Sequence, residues 1–520
     1  MDSAPSRRPW LLASIVPFFA LALTRPWVRE AFPVWDYPEV LPILRRAPGI
    51  WDGARAIAEW NRPDGRANYL SYLQFSATWS AVGGEAIGWQ IARALMMLAI
   101  AVLLVQAARR LGATPLAAAV AAGVFIVAVP STEGWLFLAG EQMATVFLLL
   151  TVLAAAGYTT TPAWKARAVL IAVLCACVML AKEVLGLCLP AVVVLALCWD
   201  PEQGFRRPAA GARERWLVLL LFLVVAAEAW SVRSAMQDAV TGNYASAFGH
   251  NGLDTGRAVT LFQAMLLPAR FSSAGTATML YPANVAFLVL LGLGLALPDL
   301  GPARGREWRW LALGLLSYPV IGAVTYGLWP RYTAYYGIPF FAGSAGLLAL
   351  AATRLERAGR TGRVVVLVLG GVTIFFTTIV SSRTIRQKRA TADFAVGISR
   401  TLPVAPRLDT LFIVTPRVGG RRWPINAKEL RHYGLFLGVP DSSLPVMTDV
   451  DCESVAGRLQ QPLGRNGILN DQNPCGRLGA QTITWVADVG YLDWISMRRV
   501  TDTMRVDLLA PSWRTTATRP

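Results

Sequence analysis

The stretch that decides the fold is AIGWQIARALMMLAIAVLLVQAARR, residues Ala86–Arg110. It is apolar over about twenty residues, the length that an α-helix needs to cross the hydrocarbon core of a bilayer. Arg109 and Arg110 end the run, and basic residues at the end of an apolar segment are typical of its cytoplasmic side. The stretch therefore predicts a transmembrane helix whose C-terminal end lies inside.

The composition of the whole chain agrees with that prediction. Of its 520 residues, 55% are hydrophobic and 16% are charged, and the mean hydropathy is +0.45. Such a chain is too apolar for a soluble globular protein and is predicted to be a multi-pass integral membrane protein. The net charge of +17 comes from short basic clusters between apolar runs. This pattern orients helices in a membrane, so no nucleic-acid partner is predicted.

Ten further apolar runs follow the same pattern. They cover about residues 10–24, 115–130, 143–158, 168–181, 184–199, 216–230, 282–297, 310–328, 334–352 and 364–380. The predicted fold class is mainly α, a polytopic transmembrane helix bundle of about eleven spans. Every loop predicted inside holds an arginine cluster, whereas the short outer turns hold none, or only Lys182 or Arg331. This alternation predicts a cytoplasmic N-terminus and an outer C-terminal segment in a bacterial inner or plasma membrane. The first run also resembles a signal sequence; an uncleaved first span is preferred, and cleavage remains the alternative.

The chain is predicted to have two domains. Residues 1–380 form the transmembrane domain, with a first outer loop at 28–85. Residues 381–520 are predicted to form a small extracytoplasmic α/β domain, because strand-like runs at 410–415 and 482–487 alternate with Pro and Gly. Cys452 and Cys475 lie in this segment. The sequence leaves two alternatives for them, a disulfide or two free thiols.

Ionisable residues in or against the apolar runs are costly to place there, so each one is a candidate for function. By the predicted topology they fall on the outer half of the membrane. For Asp36, in WDYPE at 35–39, the alternative is a turn before Pro38. For Lys182 and Arg331 the alternative is a side chain that snorkels to the interface. The candidates are Asp36, Glu39, Arg93, Glu133, Glu141, Lys182, Glu183, Glu228 and Arg331.

Carboxylates and cations on one face suit a substrate with a lipid tail and a phosphate at the headgroup level. Lysine and arginine bind phosphate, and a carboxylate can accept the proton of an acceptor hydroxyl. Neither the cysteines nor His250 and His432 have the spacing of a zinc site. No cofactor is predicted, and a need for a divalent metal cannot be read from the sequence.

The order of several loose motifs resembles the GT-C superfamily of glycosyltransferases, in particular its protein O-mannosyltransferase and aminoarabinose transferase group. The motifs are NRP at 61–63, YLSY at 69–72, WSAVGG at 79–84, GW at 88–89 with Arg93, ARRLG at 108–112, PSTE at 130–133 through Glu141, LAKE at 180–183, and LP at 189–190. The resemblance covers residues 10–341 and is best at 61–190. It implies a multispan enzyme that moves a sugar from a polyprenyl-phosphate donor to an acceptor outside the membrane.

The resemblance also implies roles for individual residues. Asp36 matches the essential acidic residue of the first outer loop, and Arg331 with Tyr332 resembles a late arginine-tyrosine element. Many relatives have adjacent acidic residues in that loop, whereas here Asp36 and Glu39 are separated by Tyr37 and Pro38. Which of the two carboxylates is the base therefore stays open.

The predicted function is a membrane glycosyltransferase whose partners are a polyprenyl-phosphate sugar donor, a lipid, glycan or protein acceptor, and membrane lipids. Two alternatives remain. A lipid-linked-sugar transporter or flippase would more often show duplicated halves with broken helices, which the sequence lacks. The second alternative is a non-catalytic assembly protein with the same fold. The predicted site comprises Asp36 and Glu39 as catalytic residues, Lys182, Arg331 and Arg93 as phosphate ligands, and Glu141, Glu183 and Tyr332 as further members.

Overall fold

The structure is a computed structural model of the chain. It describes residues 8–24, 37–62, 66, 68–135, 139–200, 204–205, 211–237, 254–270, 279–297, 307–328 and 334–401, and, further on, 410–414, 431, 434–435, 444, 446–450, 466–471, 481–485, 491–493, 498–500 and 504–508. This part of the chain is mainly helical.

The chain divides into two compact units. The first comprises Met1–Trp27, Pro48–Val82 and Gly88–Ser382, and the second comprises Val28–Ala47, Gly83–Ile87 and Arg383–Pro520. The predicted domains, 1–380 and 381–520, stay a prediction.

Helices lie on all eleven apolar runs. The α-helices are α1 Arg8–Thr24, α2 Tyr37–Arg46, α3 Ile50–Asn61, α4 Tyr69–Val82, α5 Ala86–Arg110, α6 Pro115–Val127, α7 Val129–Gly134, α8 Gly140–Ala155, α9 Trp164–Ala181, α10 Leu189–Cys198, α11 Ala212–Gln237, α12 Thr255–Leu266, α13 Pro282–Ala296, α14 Glu307–Gly327, α15 Ile338–Arg357 and α16 Arg360–Thr401. Short 3-10 helices, Glu183–Cys188 and Ala334–Gly337, precede α10 and α15. The last helix continues past residue 380, where the predicted span ended.

The segment predicted as the first outer loop contains more helix than the sequence predicted. Three helices, α2 to α4, lie within residues 28–85. Helix α3 buries Ile57 and Asn61, which lie one turn apart, and α4 buries Tyr72 and Ser76 in the same spacing. This period is that of a helix with one buried face.

Five of the helical segments in the described part of the chain are long and apolar enough to cross a membrane. They are Ile87–Arg110, Trp164–Ala181, Trp308–Gly327, Ala334–Arg357 and Arg360–Ser382. The other apolar helices are shorter, and the number of spans and their orientation stay predictions.

Contacts within the first unit join segments that the sequence predicts on the same side. Thr114 Oγ1 donates to Glu356 Oε2 at 2.5 Å, and Thr159 Oγ1 donates to Trp199 O at 3.0 Å. All four residues belong to segments predicted inside.

The second unit contains a mixed five-stranded sheet. Its strands are β3 Thr410–Val414, β4 Val446–Val450, β5 Asn466–Asp471, β6 Gln481–Trp485 and β9 Met504–Leu508, in the order β4-β3-β5-β9-β6. Strand β3 pairs in parallel with β4 and β5, and β9 pairs antiparallel with β5 and β6. The predicted strands at 410–415 and 482–487 lie on β3 and β6, whereas Cys452 and Cys475 lie outside the described residues. Strands β7 Tyr491–Asp493 and β8 Arg498–Val500 form a separate antiparallel pair. In the first unit, β1 Trp199–Asp200 pairs antiparallel with β2 Gly204–Phe205.

Candidate functional site

The site is built around a break between two apolar helices. Helix α9 ends at Ala181, and Lys182 is extended, with φ −158° and ψ 103°. The 3-10 helix Glu183–Cys188 follows, and α10 then begins with Pro190 in its first turn. Because a proline ring clashes with the carbonyl four residues earlier, one regular helix cannot run through this segment. The apolar runs predicted at 168–181 and 184–199 are thus separate helices, with Lys182 between them.

Lys182 forms a buried ion pair with Glu141. Its Nζ lies 2.9 Å from Glu141 Oε1, and the two side chains are 9% and 3% exposed. Glu141 lies in the first turn of α8, which packs against α9. A lysine that snorkelled would extend its ammonium group to the surface. The burial of Lys182 therefore disfavours the snorkelling alternative.

Helix α4 is fixed directly to the break. Ser71 Oγ donates a hydrogen bond of 2.6 Å to the carbonyl of Ala181, the last residue of α9. Gly140, immediately before Glu141, lies against the same two groups: a Cβ there would lie 2.7 Å from Ala181 O and still closer to Ser71 Oγ. Only a residue without a side chain fits this position without displacing its neighbours.

Aromatic rings line one side of the ion pair. Lys182 Nζ lies 5.1 Å from the centre of the Tyr336 ring, within the range of a cation–π contact. Tyr336 stacks on Tyr326 at 5.1 Å with an interplanar angle of 10°. Phe340 packs edge-on against Tyr326 at 6.0 Å. The α14 and α15 region thus contributes a flat aromatic surface beside the lysine.

Tyr72 of α4 lies within electrostatic range of the break. Burial raises the pKa of Tyr72, and Glu183 raises it further, against smaller opposite effects that include those of Arg66 and Lys182. The phenol therefore keeps its proton at neutral pH, and it donates to Arg66 O at 3.4 Å.

A third glutamate, Glu228, joins the cluster from α11. It is 8% exposed, and Glu183 lies close enough to act on it electrostatically. Helix α11 packs against α9 and against the 3-10 helix that contains Glu183. Glu228 thus lies on a helix packed against the segment that contains Glu183, while Glu141 pairs with Lys182.

One buried carboxyl oxygen near the break is left without a hydrogen bond. Glu228 Oε1 has no hydrogen-bond partner among the described residues, whereas Glu141 Oε1 pairs with Lys182. Buried polar atoms in native proteins are nearly always hydrogen-bonded, and exceptions are often found where a ligand or water binds. The cluster can therefore accept hydrogen bonds from a bound molecule.

The structure brings together only part of the predicted site. Glu141, Lys182 and Glu183 meet at the break. Arg93 is buried in α5, one turn before Met97, and a Cβ built on Gly134 would lie 3.0 Å from the Met97 sulfur. This part of α5 therefore approaches the end of α7.

The other predicted residues lie outside what the structure describes. Asp36, Arg331 and Tyr332 are not among the described residues, and Glu39 is described only as part of the α2 backbone. Their predicted roles stay predictions. Within the described ranges, no group of three or more His, Cys, Asp or Glu side chains is placed to hold a metal ion.

Sequence reasoning missed the residues that support the ion pair. Ser71, Gly140 and the stacked pair Tyr326 and Tyr336 carry no charge and sit in apolar or small-residue stretches. The doublet Tyr335-Tyr336 shortly after Arg331 was the available signal, because tyrosines near a charged residue favour a binding surface.

Comparison with known proteins finds a likeness of fold. No protein-family model matches the chain, and no curated protein matches it. In fold the chain is similar to ArnT. Two crystal structures of ArnT from Cupriavidus metallidurans, one in the apo state and one bound to undecaprenyl phosphate, each give a TM-score of 0.49. Their sequences are 11% and 12% identical to this chain; the matches cover 97% and 98% of it and 98% and 99% of ArnT. At this identity the likeness concerns the fold and does not extend to the substrate or to individual site residues.

Proposed function

We propose that this protein is a membrane glycosyltransferase, which transfers a sugar from a polyprenyl-phosphate-linked donor to a lipid, glycan or protein acceptor on the outer face of the membrane. The observation that supports this most is the buried ion pair of Lys182 and Glu141 at a break between apolar helices, with the half-buried Glu183 next in the chain. Ionisable residues are retained at such positions mainly for function, because they are costly for the fold. Breaks between helices are also where membrane proteins build binding sites for polar groups.

The cluster combines the two properties that a lipid-phosphate sugar donor requires. A cation held inside the protein, away from water, attracts a phosphate more strongly than a solvated one does. Glu141 keeps Lys182 in that position. The remaining carboxylates and the aromatic rings offer hydrogen-bond acceptors and a flat apolar surface, both of which suit a sugar ring.

The proposed reaction is a single displacement at the anomeric carbon of the donor sugar. The oxygen of the acceptor hydroxyl attacks that carbon, and its proton passes to the carboxylate of Asp36 or Glu39. The bond between the anomeric carbon and the phosphate oxygen breaks, and its electron pair leaves with the polyprenyl phosphate. Lys182, Arg331 and Arg93 are proposed to stabilise the charge on the leaving phosphate.

We propose in addition that the N-terminus is cytoplasmic and the C-terminal segment lies outside, because the arginine clusters alternate along the chain. Single cysteines introduced at 360 and 426 can be labelled with an impermeant maleimide in intact cells. Labelling at 426 alone is expected. Labelling at 360 alone would reverse the topology.

The test of the function is turnover by the purified full-length protein in nanodiscs. Mass spectrometry first identifies any lipid that co-purifies. Undecaprenyl phosphate carrying a radiolabelled sugar is then supplied with a membrane lipid extract as the source of acceptor. The proposal predicts free undecaprenyl phosphate together with a labelled product.

The same assay separates the alternatives. A transporter would carry the intact donor across sealed vesicles without cleaving it. An assembly protein would bind the donor and neither move nor cleave it. Either of these results would overturn the proposal that the protein is an enzyme.

A further inference from the structure

Glu228 is a residue that the proposed reaction does not use. It lies in α11, where its neighbours Val225 and Trp230 are 46% and 73% exposed, as residues that face lipid are. Tryptophan is enriched at the level of the lipid headgroups, so Trp230 is expected to mark that level. Glu228 itself is buried, on the face of α11 that also buries Leu217 and Leu221. A carboxyl group at this depth is costly unless it binds something.

The contacts of Glu228 with the described residues give no structural reason for a carboxyl group at this position. Its Oε1 has no hydrogen-bond partner among the described residues. Glu183, the residue close to it, carries a charge of the same sign. A buried carboxyl oxygen without a hydrogen bond destabilises the fold, which is expected where binding determines the choice of residue.

We propose that Glu228 is a sugar-binding residue, which together with Glu183 binds hydroxyl groups of the sugar that is transferred. This inference rests on the proposed function and specifies which part of the donor the residue contacts. Carboxylate oxygens accept hydrogen bonds, and the hydroxyl groups of a sugar can donate them. The phosphate is excluded as the partner, since its charge has the same sign as a carboxylate.

The surroundings of the pair agree with a sugar ring. Glu183 follows Lys182, whose ammonium group lies 5.1 Å from the Tyr336 ring, and Tyr336 stacks on Tyr326. A sugar bound by its hydroxyls at the carboxyl pair would have aromatic surface nearby for its apolar C–H groups. The phosphate would then lie on the lysine side of the site.

The experiment compares two ligands on the full-length protein in nanodiscs: undecaprenyl phosphate, and undecaprenyl phosphate carrying glucose, galactose or mannose. The wild type is expected to bind at least one sugar-bearing lipid more tightly than the bare lipid. In Glu228→Leu the affinity for that lipid should fall about ten- to a hundredfold, the scale of a hydrogen bond to a charged group. The affinity for bare undecaprenyl phosphate should not change.

Two further variants complete the design. Glu228→Gln keeps the size of the side chain and part of its hydrogen bonding, so its loss should be smaller than that of Glu228→Leu. Glu214→Gln removes a carboxylate near the opposite end of α11, and both affinities should stay at the wild-type level. Thermal unfolding establishes that each variant is folded.

The outcomes separate this inference from the proposed function. If the wild type binds neither kind of lipid, both fail. If it binds both kinds but Glu228→Leu and Glu228→Gln keep its preference for the sugar-bearing lipid, only the role of Glu228 fails. The role of Glu228 is also overturned if Glu228→Leu loses affinity equally for both lipids, or if the wild type does not prefer the sugar-bearing lipid.

Discussion

The ammonium nitrogen of Lys182 lies 2.9 Å from Oε1 of Glu141, and both side chains are buried. The two residues belong to different helices, so their pair fixes the start of α8 to the break after α9. A buried ion pair contributes little net stability because both charges lose their water. A buried ion pair that costs much desolvation and stabilises the fold little indicates that its charges serve the function of the protein.

Removing one partner of this pair should destabilise the protein strongly. Lys182→Met or Glu141→Met leaves the other charge buried without its partner, at a cost of about 3–5 kcal/mol. The double variant should unfold near the wild-type temperature, because neither charge remains. Thermal unfolding in detergent measures this. The control is Arg55→Met with Glu59→Met, an exposed pair at 3.0 Å, whose loss should cost less than about 1 kcal/mol. A double variant as unstable as the worse single variant would contradict the argument.

Gly140→Ala should destabilise the contact between α4, α8 and α9. The added Cβ would meet Ser71 Oγ and lie 2.7 Å from the backbone oxygen of Ala181. Such overpacking costs about 1–3 kcal/mol. Gly292→Ala in α13 is the matched control, since a Cβ there meets nothing within 4 Å among the described residues; it should leave stability unchanged or raise it by up to about 1 kcal/mol. Equal unfolding temperatures for the two variants would show that the close approach at Gly140 is not needed.

Glu228→Leu should make the protein more stable while it weakens sugar binding. The substitution removes a buried oxygen without a hydrogen bond, the kind of group that costs about 1–3 kcal/mol. A rise in the unfolding temperature of the ligand-free protein is therefore expected. A fall would mean that Glu228 supports the fold through contacts of its carboxyl group.

Asp36→Asn should lower turnover by about a hundredfold or more, the scale of general-base loss, and should leave expression and donor binding intact. Glu39→Gln should cost less if Asp36 is the base, and the reverse order would assign the role to Glu39. Initial rates at saturating donor measure both effects. Normal turnover by Asp36→Asn would remove the first outer loop from the chemistry.

The sequence was sufficient to predict the helical runs and the break at Lys182. In a membrane protein the apolar stretches must form helices, since backbone groups have no water to bind there. The charges at Lys182 and Glu183 interrupt such a stretch visibly. Helices α2 and α3 were missed because short amphipathic segments that contain charged residues are hard to tell from loops.

The partners within the site could not be predicted from the sequence. Ser71 donates to Ala181, 110 residues away, and no spacing rule relates two such positions. The pairing of Glu141 with Lys182 likewise depends on how α8 packs against α9. The candidates were found one by one through the cost of burying charge, whereas their contacts depend on tertiary packing.

The most direct test of the central claim is the initial rate of undecaprenyl phosphate release from a sugar-bearing donor. It compares the wild type with Lys182→Met/Glu141→Met in nanodiscs, and Arg55→Met/Glu59→Met serves as the control. If the buried pair is part of a glycosyltransferase site, the wild type and the control turn over at similar rates. The folded double variant is then about a hundredfold slower, the scale expected when a group that stabilises the leaving phosphate is lost. A folded double variant that releases undecaprenyl phosphate at the wild-type rate would contradict the claim.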